Sequence, residues 1–567
     1  MSTNTATKPE RFFFFSLTDK DGSIEFARRL VNIGWHALSA GGTCKMLAEA
    51  GIPVQDLKDI VKGGAILGHK VLTLSRELAA SLLADTLDPE ELAELVSMNL
   101  PFVDFVYCNF YDLQKAINDA ATLTREEAIA LVIKKLDIGG PTMTREAAKG
   151  FRIVVCRKQD MELVLCELEK TGDVSVETRQ KLRARAEYEV ATYVAKSAVF
   201  HGDGQFNIIA GERVCTFKGE NGPQSPAALY STGSEDPLAL DKFELLAGAD
   251  PSYNNWCDVT RLLDTMTHIG AAWKLNFGEV PTIAIGGKHG NACGAAVGTF
   301  VAIENVAQKM VRGDTRAIFG GLCMINKPVD EFVAVEMAKA MPSKKAMFDG
   351  VIAPEFDARA IEVLSRSKGK CRLMKNSALF GCSAILDTAP RFRYVRGGFL
   401  AQPNYRFLLD FKDPDLKVFG EPLDLETKED LLLAWAIGST SNSNTITIVK
   451  DGMLIGNGTG QQDRVGAAEL AIKRAIDAGH GSFTWWGKLL RFLGVNYTKN
   501  ALKGAVAYSD SFFPFGDGPK MLLKAGVETI LSTSGSVKDQ EIQALFLKAG
   551  RRFVQLPDSK ARGFYGH

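Results

Sequence analysis

The sequence predicts an α/β protein of more than one domain, its first part a parallel sheet flanked by helices. Three observations carry that expectation. From the start of the chain, apolar runs of strand length alternate with segments of helical period, the pattern of strand–helix–strand units. The 567 residues exceed what one hydrophobic core ordinarily organises. The composition, 46% hydrophobic and 24% charged, is that of a globular chain able to bury large cores.

The elements follow in order. Residues 12–17 are an apolar run of strand length, 23–33 repeat apolar positions at helical spacing, 35–39 read as the next strand and 44–50 as the next helix. Pro101-Phe102-Val103-Asp104-Phe105-Val106-Tyr107 reads as a buried strand. Thr124 with Glu127 three positions on is a capping box, so a helix is expected from there through Leu136. Residues 151–156 read as the strand that closes the unit. Over 176–199, Leu182, Ala186, Val190 and Tyr193 recur at helical spacing and predict a long amphipathic helix. The Gly-rich His201-Gly202-Asp203-Gly204 behind it marks the boundary between domains 1–200 and 205–567. In the second domain, 281–285 reads as a buried strand, 445–449 as a strand before a turn at Asp451-Gly452, and 527–531 as a strand before a helix opening near Asp539. The run 456–460 reads as a glycine turn.

Charge excludes some partners. Lys plus Arg and Asp plus Glu both total 67, so no global field favours nucleic acid or an anionic membrane. Ten cysteines stand singly, without a C-x-x-C pair, which points to reduced thiols and no zinc site. The first ten residues are polar and no apolar run reaches membrane-spanning length, so a cytoplasmic protein is expected.

The most informative segment is Gly287-Lys288-His289-Gly290-Asn291-Ala292-Cys293-Gly294, a Lys beside a His among glycines after an apolar strand. A neutral imidazole takes a proton near pH 7, and a neighbouring ammonium steadies negative charge on oxygen. Together they suit acyl transfer to an amine. Earlier in the chain, Ser16-Leu17-Thr18-Asp19-Lys20 and Ser39-Ala40-Gly41-Gly42-Thr43 follow strands, and hydroxyls, glycine amides and a Lys at strand ends can cradle a phosphate. Asp137-Ile138-Gly139-Gly140-Pro141, then Arg145 and Lys149, add a second glycine-rich turn with basic residues. Taken singly, Phe512, Phe513 and Phe515 read as core, and Arg464 and Asp517 as surface charges.

The series T-D-K-D-G, A-G-G-T, P-F-V-D-F-V-Y-C-N-F-Y and D-I-G-G-x-T-x-x-R-E-A-A-K resembles, in order, the cyclohydrolase domain of the bifunctional purine-biosynthesis enzymes. The second half continues the likeness with S-Y-N-N from Ser252, K-H-G-N-A-C-G from Lys288, F-G-G from Phe319, V-I-A-P from Val351, G-N-G-T-G-Q-Q-D-R from Gly456, S-D-S-F-F-P-F-G-D from Ser509 and S-G-S-V-K-D-Q-E from Ser534. These resemble that family's formyltransferase domain. The resemblance implies a methylglyoxal-synthase-like, doubly wound parallel sheet first, then a larger α/β formyltransferase domain of cytidine-deaminase-like repeats. It implies formyl transfer from the cosubstrate 10-formyltetrahydrofolate to 5-aminoimidazole-4-carboxamide ribonucleotide, then closure of the ring to inosine monophosphate. It also implies nucleotide and folate as small-molecule partners, a homodimer, and no resident metal.

Residue by residue, the resemblance makes His289 the base, Lys288 its electrophilic partner and Asn444 the residue that orients the reacting groups. It gives Asn255, Arg464, Lys218, Phe319 and Asp349 to the nucleotide pocket, Phe512 and Phe515 to ring packing, Asp517 to the pterin and Arg562 to the nucleotide phosphate. In the first domain it gives Asp137, Lys149 and Tyr111 to ring closure, and Thr18, Lys20, Gly42, Thr43, Lys70, Thr73 and Asn109 to binding. Two departures stand out. Leu72 occupies the place of a family Lys in H-K-V-L-T-L-S-R; read as a strand, that segment puts Lys70 on the same face, roughly 6 to 7 Å away. Phe217 replaces a family Arg, with Lys218 beside it. These predict a surviving phosphate pocket with weakened or altered ring closure. The sequence leaves open a formyltransferase alone, whose first domain only dimerises or senses nucleotide, and a nucleotide-binding regulator without catalysis.

Overall fold

The structure is a computed structural model that describes residues 10–62, 65–67, 71–85, 87–495 and 497–565. The chain separates into two compact units, Met1–Ala210 and Gly211–His567.

The first unit holds strands β1 (Arg11–Ser16), β2 (His36–Ser39), β3 (Val54–Asp56), β4 (Phe102–Cys108) and β5 (Ile153–Val155), in the order β3-β2-β1-β4-β5. All four pairings are parallel. The side-chain period of two explains the unbroken apolar runs: Phe13 and Phe15 enter one core, Phe14 the other, so both faces of β1 are covered. The capping box of Thr124 and Glu127 starts helix Arg125–Lys135. The long helix runs Val176–His201, with Leu182, Ala186, Val190 and Tyr193 as its buried stripe, two residues past the expected end.

One expectation fails here. The segment around Leu72 is not a strand: Val71 makes an isolated bridge with Ile66, residues 72–74 bend, and Ser75 caps helix Arg76–Leu83 through the N–H of Leu78. The alternation was too short to hold a ladder against that cap. Leu72 is 4% exposed and packs with Phe14, Leu38 and Met143.

The second unit contributes β6 (Glu212–Phe217), β7 (Ala227–Ser231), β8 (Glu244–Ala247), β9 (Thr282–Lys288), β10 (Asn291–Gly298), β11 (Leu322–Ile325), β12 (Gly350–Ala353), β13 (Arg372–Lys375), β14 (Arg391–Val395), β15 (Gly398–Gln402), β16 (Lys417–Phe419), β17 (Ile446–Lys450), β18 (Met453–Gly458), β19 (Val506–Ser509), β20 (Thr529–Ser534) and β21 (Arg552–Pro557). Twelve of them form one sheet, β16-β21-β20-β19-β17-β18-β10-β9-β11-β12-β13-β8. The order reads the same from either edge towards the middle: an antiparallel edge strand, three parallel strands, then a hairpin. In each half a long helix, Tyr253–Phe277 or Leu425–Ser439, follows the edge strand, and a second helix, Ile303–Gly313 or Arg464–Asp477, follows the hairpin. The unit is therefore a doubled βαββαβαβαβ module, with one additional helix, Trp485–Phe492, in the second half. Its halves meet where β10 pairs with β18 at Ala296 and Met453, and where the two long helices share one core through Met266, Trp273, Leu432 and Trp435.

The glycine run 456–460 is not merely a turn, since Gly456 and Gly458 lie within β18. A Cβ on them would stand 2.3 Å from the Ala471 carbonyl oxygen and 2.1 Å from that of Ala467, so the strand rests directly on helix Arg464–Asp477.

Candidate active sites

Lys288 and His289 sit on the β9–β10 hairpin. His289 and Gly290 have φ values of 53° and 72°, two left-handed residues in succession, which is the type I′ turn that matches strand twist. The turn ends the alternation of the strand and frees Lys288 and His289 from opposite faces. Lys288 Nζ donates to the Phe319 carbonyl at 2.9 Å. The next residue, Gly320, has φ 69°, and a Cβ there would lie 3.8 Å from Lys288 Nζ and 3.7 Å from Asp349 Oδ1. Lys288, Phe319 and Asp349 are thus brought together, with Arg366 on Asp349 at 3.2 Å.

The turn is braced from below. Asp258 Oδ1 accepts from the Gly290 N–H at 2.6 Å. Burial pushes the Asp258 carboxyl up, against the backbone hydrogen bond from Gly290 and the charge of His289. Asn291 Nδ2 donates to the His289 carbonyl at 3.1 Å, and Asn291 Oδ1 accepts from the Asn442 N–H at 3.0 Å. Arg261 donates to the Thr440 carbonyl at 2.5 Å and to Asn442 Oδ1 at 3.2 Å. The loop that carries Asn444 is therefore bonded to the hairpin that carries His289.

Asn444 pairs with Gln461 through both backbone bonds, at 3.0 and 3.2 Å, and donates its Nδ2 to the Gln461 carbonyl at 3.0 Å. Its neighbour Ser443 donates to Asp510 Oδ2 at 2.6 Å, and the Thr445 N–H to the same oxygen at 3.1 Å. Arg464, first residue of its helix, lies 3.3 Å from Asp510 Oδ1, and Asp510 is fully buried. Burial pushes the Asp510 carboxyl up; the Ser443 hydroxyl and Arg464 act against it.

An open cleft of about 890 Å³ is lined by Lys288, His289 and Asn291 of the first hairpin and by Gly456, Asn457 and Thr459 of the second half. Its lining also carries the cations Arg316, Lys473, Arg474 and Arg491, of which Arg474 pairs with Asp314 at 3.1 Å and Lys473 with Asp477 at 2.5 Å.

The aromatic trio divides. Phe513 is core, Phe512 is half-buried against Gly535, and Phe515 is 67% exposed. Asp517 opens helix Asp517–Ala525 and is exposed. Arg562 pairs with Asp558 at 2.5 Å, and Asp558 also accepts from Ser511 at 3.1 Å and Thr533 at 2.5 Å, beside Phe512. Asn255 serves the capping box of Ser252 at 2.9 Å, at the start of helix Tyr253–Phe277. Lys218 accepts at its carbonyl from the Tyr253 N–H at 3.0 Å, which brings it to that same helix start. Phe217, where an Arg was expected, packs on the core of Trp256 and Leu431.

In the first unit the residues gather at the carboxyl ends of β1, β2 and β4. Asn109 Oδ1 accepts from the Thr18 N–H at 2.6 Å, the Thr18 hydroxyl at 2.8 Å and the Asp19 N–H at 3.1 Å. This bond spans β1 and β4, where the strand order reverses, the place at which doubly wound sheets bind ligands. Lys20 Nζ donates to the Gly42 carbonyl at 3.0 Å, and Thr43 Oγ1 accepts from the Leu17 N–H at 3.1 Å. Asp137 Oδ1 accepts from the Gly140 N–H at 2.9 Å at the start of helix Gly139–Lys149. Burial pushes its carboxyl up, against backbone bonds from Gly140 and Tyr111. Thr73 faces the same turn, since a Cβ on Gly139 would meet its Oγ1 at 2.5 Å. Lys149 is the last residue of that helix and is exposed. Lys70 lies outside the described residues.

Sequence reading missed Asp258, Asn291, Asn442 and Asp510. Asn291 and Asp510 stood inside quoted motifs, and their polarity beside glycine or serine was the available signal. Asp258 reads as a helix-surface acid, and nothing local tells it from others.

A family model for the AICARFT/IMPCHase bienzyme matches residues 147–474, and one for the MGS-like domain matches residues 22–142. Proteins named bifunctional purine biosynthesis protein PurH are similar over nearly the whole length. That of Anoxybacillus flavithermus is 32% identical, covering 94% of this chain and 96% of its own. That of Caldicellulosiruptor saccharolyticus is 34% identical, with 93% and 94% covered, and that of Listeria monocytogenes 30% identical, with 95% and 97% covered. With both halves matched and both sets of motifs placed at strand ends, this chain belongs to the AICARFT/IMPCHase bienzyme family.

Proposed function

We propose that the chain performs the last two steps of inosine monophosphate synthesis. The second unit moves a formyl group from 10-formyltetrahydrofolate to the amine of 5-aminoimidazole-4-carboxamide ribonucleotide, and the first unit closes the ring. The observation that carries this reading is that Lys288 and His289 line the cleft on a turn bonded to the Asn444 loop.

An arylamine conjugated with a carboxamide is a weak nucleophile, so attack needs a base. His289 takes the amine proton as nitrogen bonds to the formyl carbon. Lys288, held by the Phe319 carbonyl, steadies the oxyanion of the tetrahedral adduct. The bond from carbon to N10 of the folate then breaks, and the proton held by His289 passes to N10. Asn444 orients the amine and carboxamide. Arg464, Arg562 and Lys218 supply positive charge for the nucleotide, Phe512 and Phe515 pack a ring, and Asp517 bonds the pterin. The cations of the cleft lining, Arg316 among them, suit the glutamyl carboxylates of the folate.

In the first unit, Thr18, Lys20, Gly42, Thr43 and Asn109 form the phosphate cradle. Asp137 and Tyr111 stand where the carboxamide nitrogen attacks the formyl carbon and water leaves. A carboxyl raised by burial is suited to exchanging a proton in that step. We assign the protein to the cytoplasm and to a homodimer on family likeness. Among the described residues, no helix is long and apolar enough to cross a membrane.

The test supplies purified protein with the aminoimidazole ribonucleotide and 10-formyltetrahydrofolate and quantifies both products. The proposal expects inosine monophosphate. Accumulation of the formylated intermediate alone removes ring closure, and no turnover removes both activities.

A further inference from the structure

We propose that Asp258 is the positioning residue for His289: it fixes the backbone of the turn so that the imidazole is presented to the cleft that His289 lines. The inference rests on reading His289 as the base of formyl transfer.

The doubled module supplies the argument. The hairpin of the second half turns at Asp451 and Gly452, with φ values of 53° and 68°, matching the 53° and 72° of His289 and Gly290. Asp-Gly is a favoured pair for such a turn, because Asp tolerates the left-handed region and Gly adopts it freely. His-Gly is a less usual choice, and a residue held in a sparsely populated conformation points to function when its surroundings fix it there. Here they do, by one device used twice. Asp430, on the long helix before the second hairpin, accepts from the Gly452 N–H at 2.7 Å and the Asp451 N–H at 3.0 Å. Asp258, on the long helix before the first, accepts from the Gly290 N–H at 2.6 Å.

A carboxylate under the turn is thus part of the scaffold of both halves. Only the first half places an imidazole on it. The His289 backbone is held on its carbonyl side by Asn291 and at the following N–H by Asp258, which leaves the ring as the free element of the turn. The charged group packed beside Asp258, besides the imidazole, is Arg261, one turn further along the same helix. That guanidinium is already committed to Thr440 and Asn442, so it anchors the Asn444 loop from the same helix face. Asp258 and Arg261 together set the two sides of the reaction, base and orienting amide, on one rigid helix.

Four variants decide the matter in the formyl-transfer assay: Asp258→Ala, Asp258→Asn, Asp430→Ala and His289→Ala. With Asp258→Ala, kcat falls roughly ten- to a hundredfold while KM for both substrates stays within about twofold, because the base is misplaced and not the binding surface. Asp258→Asn keeps an oxygen to accept from Gly290 and retains kcat within about fivefold of the parent. Asp430→Ala loosens the equivalent turn and keeps kcat per folded molecule. The inference is overturned if Asp258→Ala and Asp430→Ala behave alike, or if Asp258→Asn loses as much kcat as the alanine variant. Should Asp258→Ala fail to fold, Asp258→Leu, which keeps the volume and lacks the acceptor, takes its place under the same criteria. If His289→Ala turns over normally, the reading of the base fails; if it is inactive and Asp258→Ala is not, only this inference does.

Discussion

The backbone N–H of Asn442 donates to Asn291 Oδ1 at 3.0 Å, across the line where the two halves of the second unit meet. Through this bond the turn of His289 and the loop of Asn444 move as one. Asn291→Ala removes it together with the bond to the His289 carbonyl, so formyl transfer falls roughly tenfold and stability by about 1 kcal/mol. Steady-state kinetics beside urea titration measures both.

His289→Ala removes the base. Loss of general-base catalysis costs roughly a hundredfold or more in formyl transfer. Ring closure, assayed with the preformed formylated nucleotide, stays at the parent rate because it belongs to the other unit.

Arg316→Glu reverses a charge in the cleft lining. KM for 10-formyltetrahydrofolate rises roughly tenfold with kcat and the nucleotide KM unchanged, the signature of lost uniform binding. An unchanged folate KM removes Arg316 from the folate site.

Leu72→Lys does not restore the family cation. Leu72 is buried among Phe14, Leu38 and Met143, so an ammonium there is desolvated without a partner. Chemical denaturation should register a loss of about 3 kcal/mol or more, and cyclisation should not rise.

Asp430 gives a pH dependence. Burial raises its carboxyl from 3.8 to about 6. Between those values the folded state holds a proton that the unfolded state has released, so stability falls as pH rises from about 4 to about 6 and is level above. Asp430→Asn removes that slope, worth about 3 kcal/mol over the interval. Urea midpoints measured at pH 4, 5, 6 and 7 for both proteins check the sign.

Much of this was legible in the sequence, for physical reasons that also mark the limit. The runs at Phe12 and Phe102 read as strands because both faces of a parallel strand are buried. The Lys288-His289 pair was visible because Gly290 signals a turn. The bend at Leu72 was not, since three alternating residues look like a strand until a cap at Ser75 takes over. The differing environments of Phe512, Phe513 and Phe515 follow from tertiary packing alone. Asp258 stands some thirty residues from the turn it holds, and only the helix–hairpin contact reveals it.

β10 and β18 share a single registered pair, Ala296 with Met453, whereas helices Tyr253–Phe277 and Leu425–Ser439 share one core. The join therefore leans on a helical splint more than on the strand ladder. The first helix carries Asp258 and Arg261, and the second runs directly into the loop of Asn444. The working distance between base and orienting amide is gauged by how two helices pack, so a methyl group lost at Leu432 or Met266, in their shared core, would detune the chemistry before it unfolded the chain.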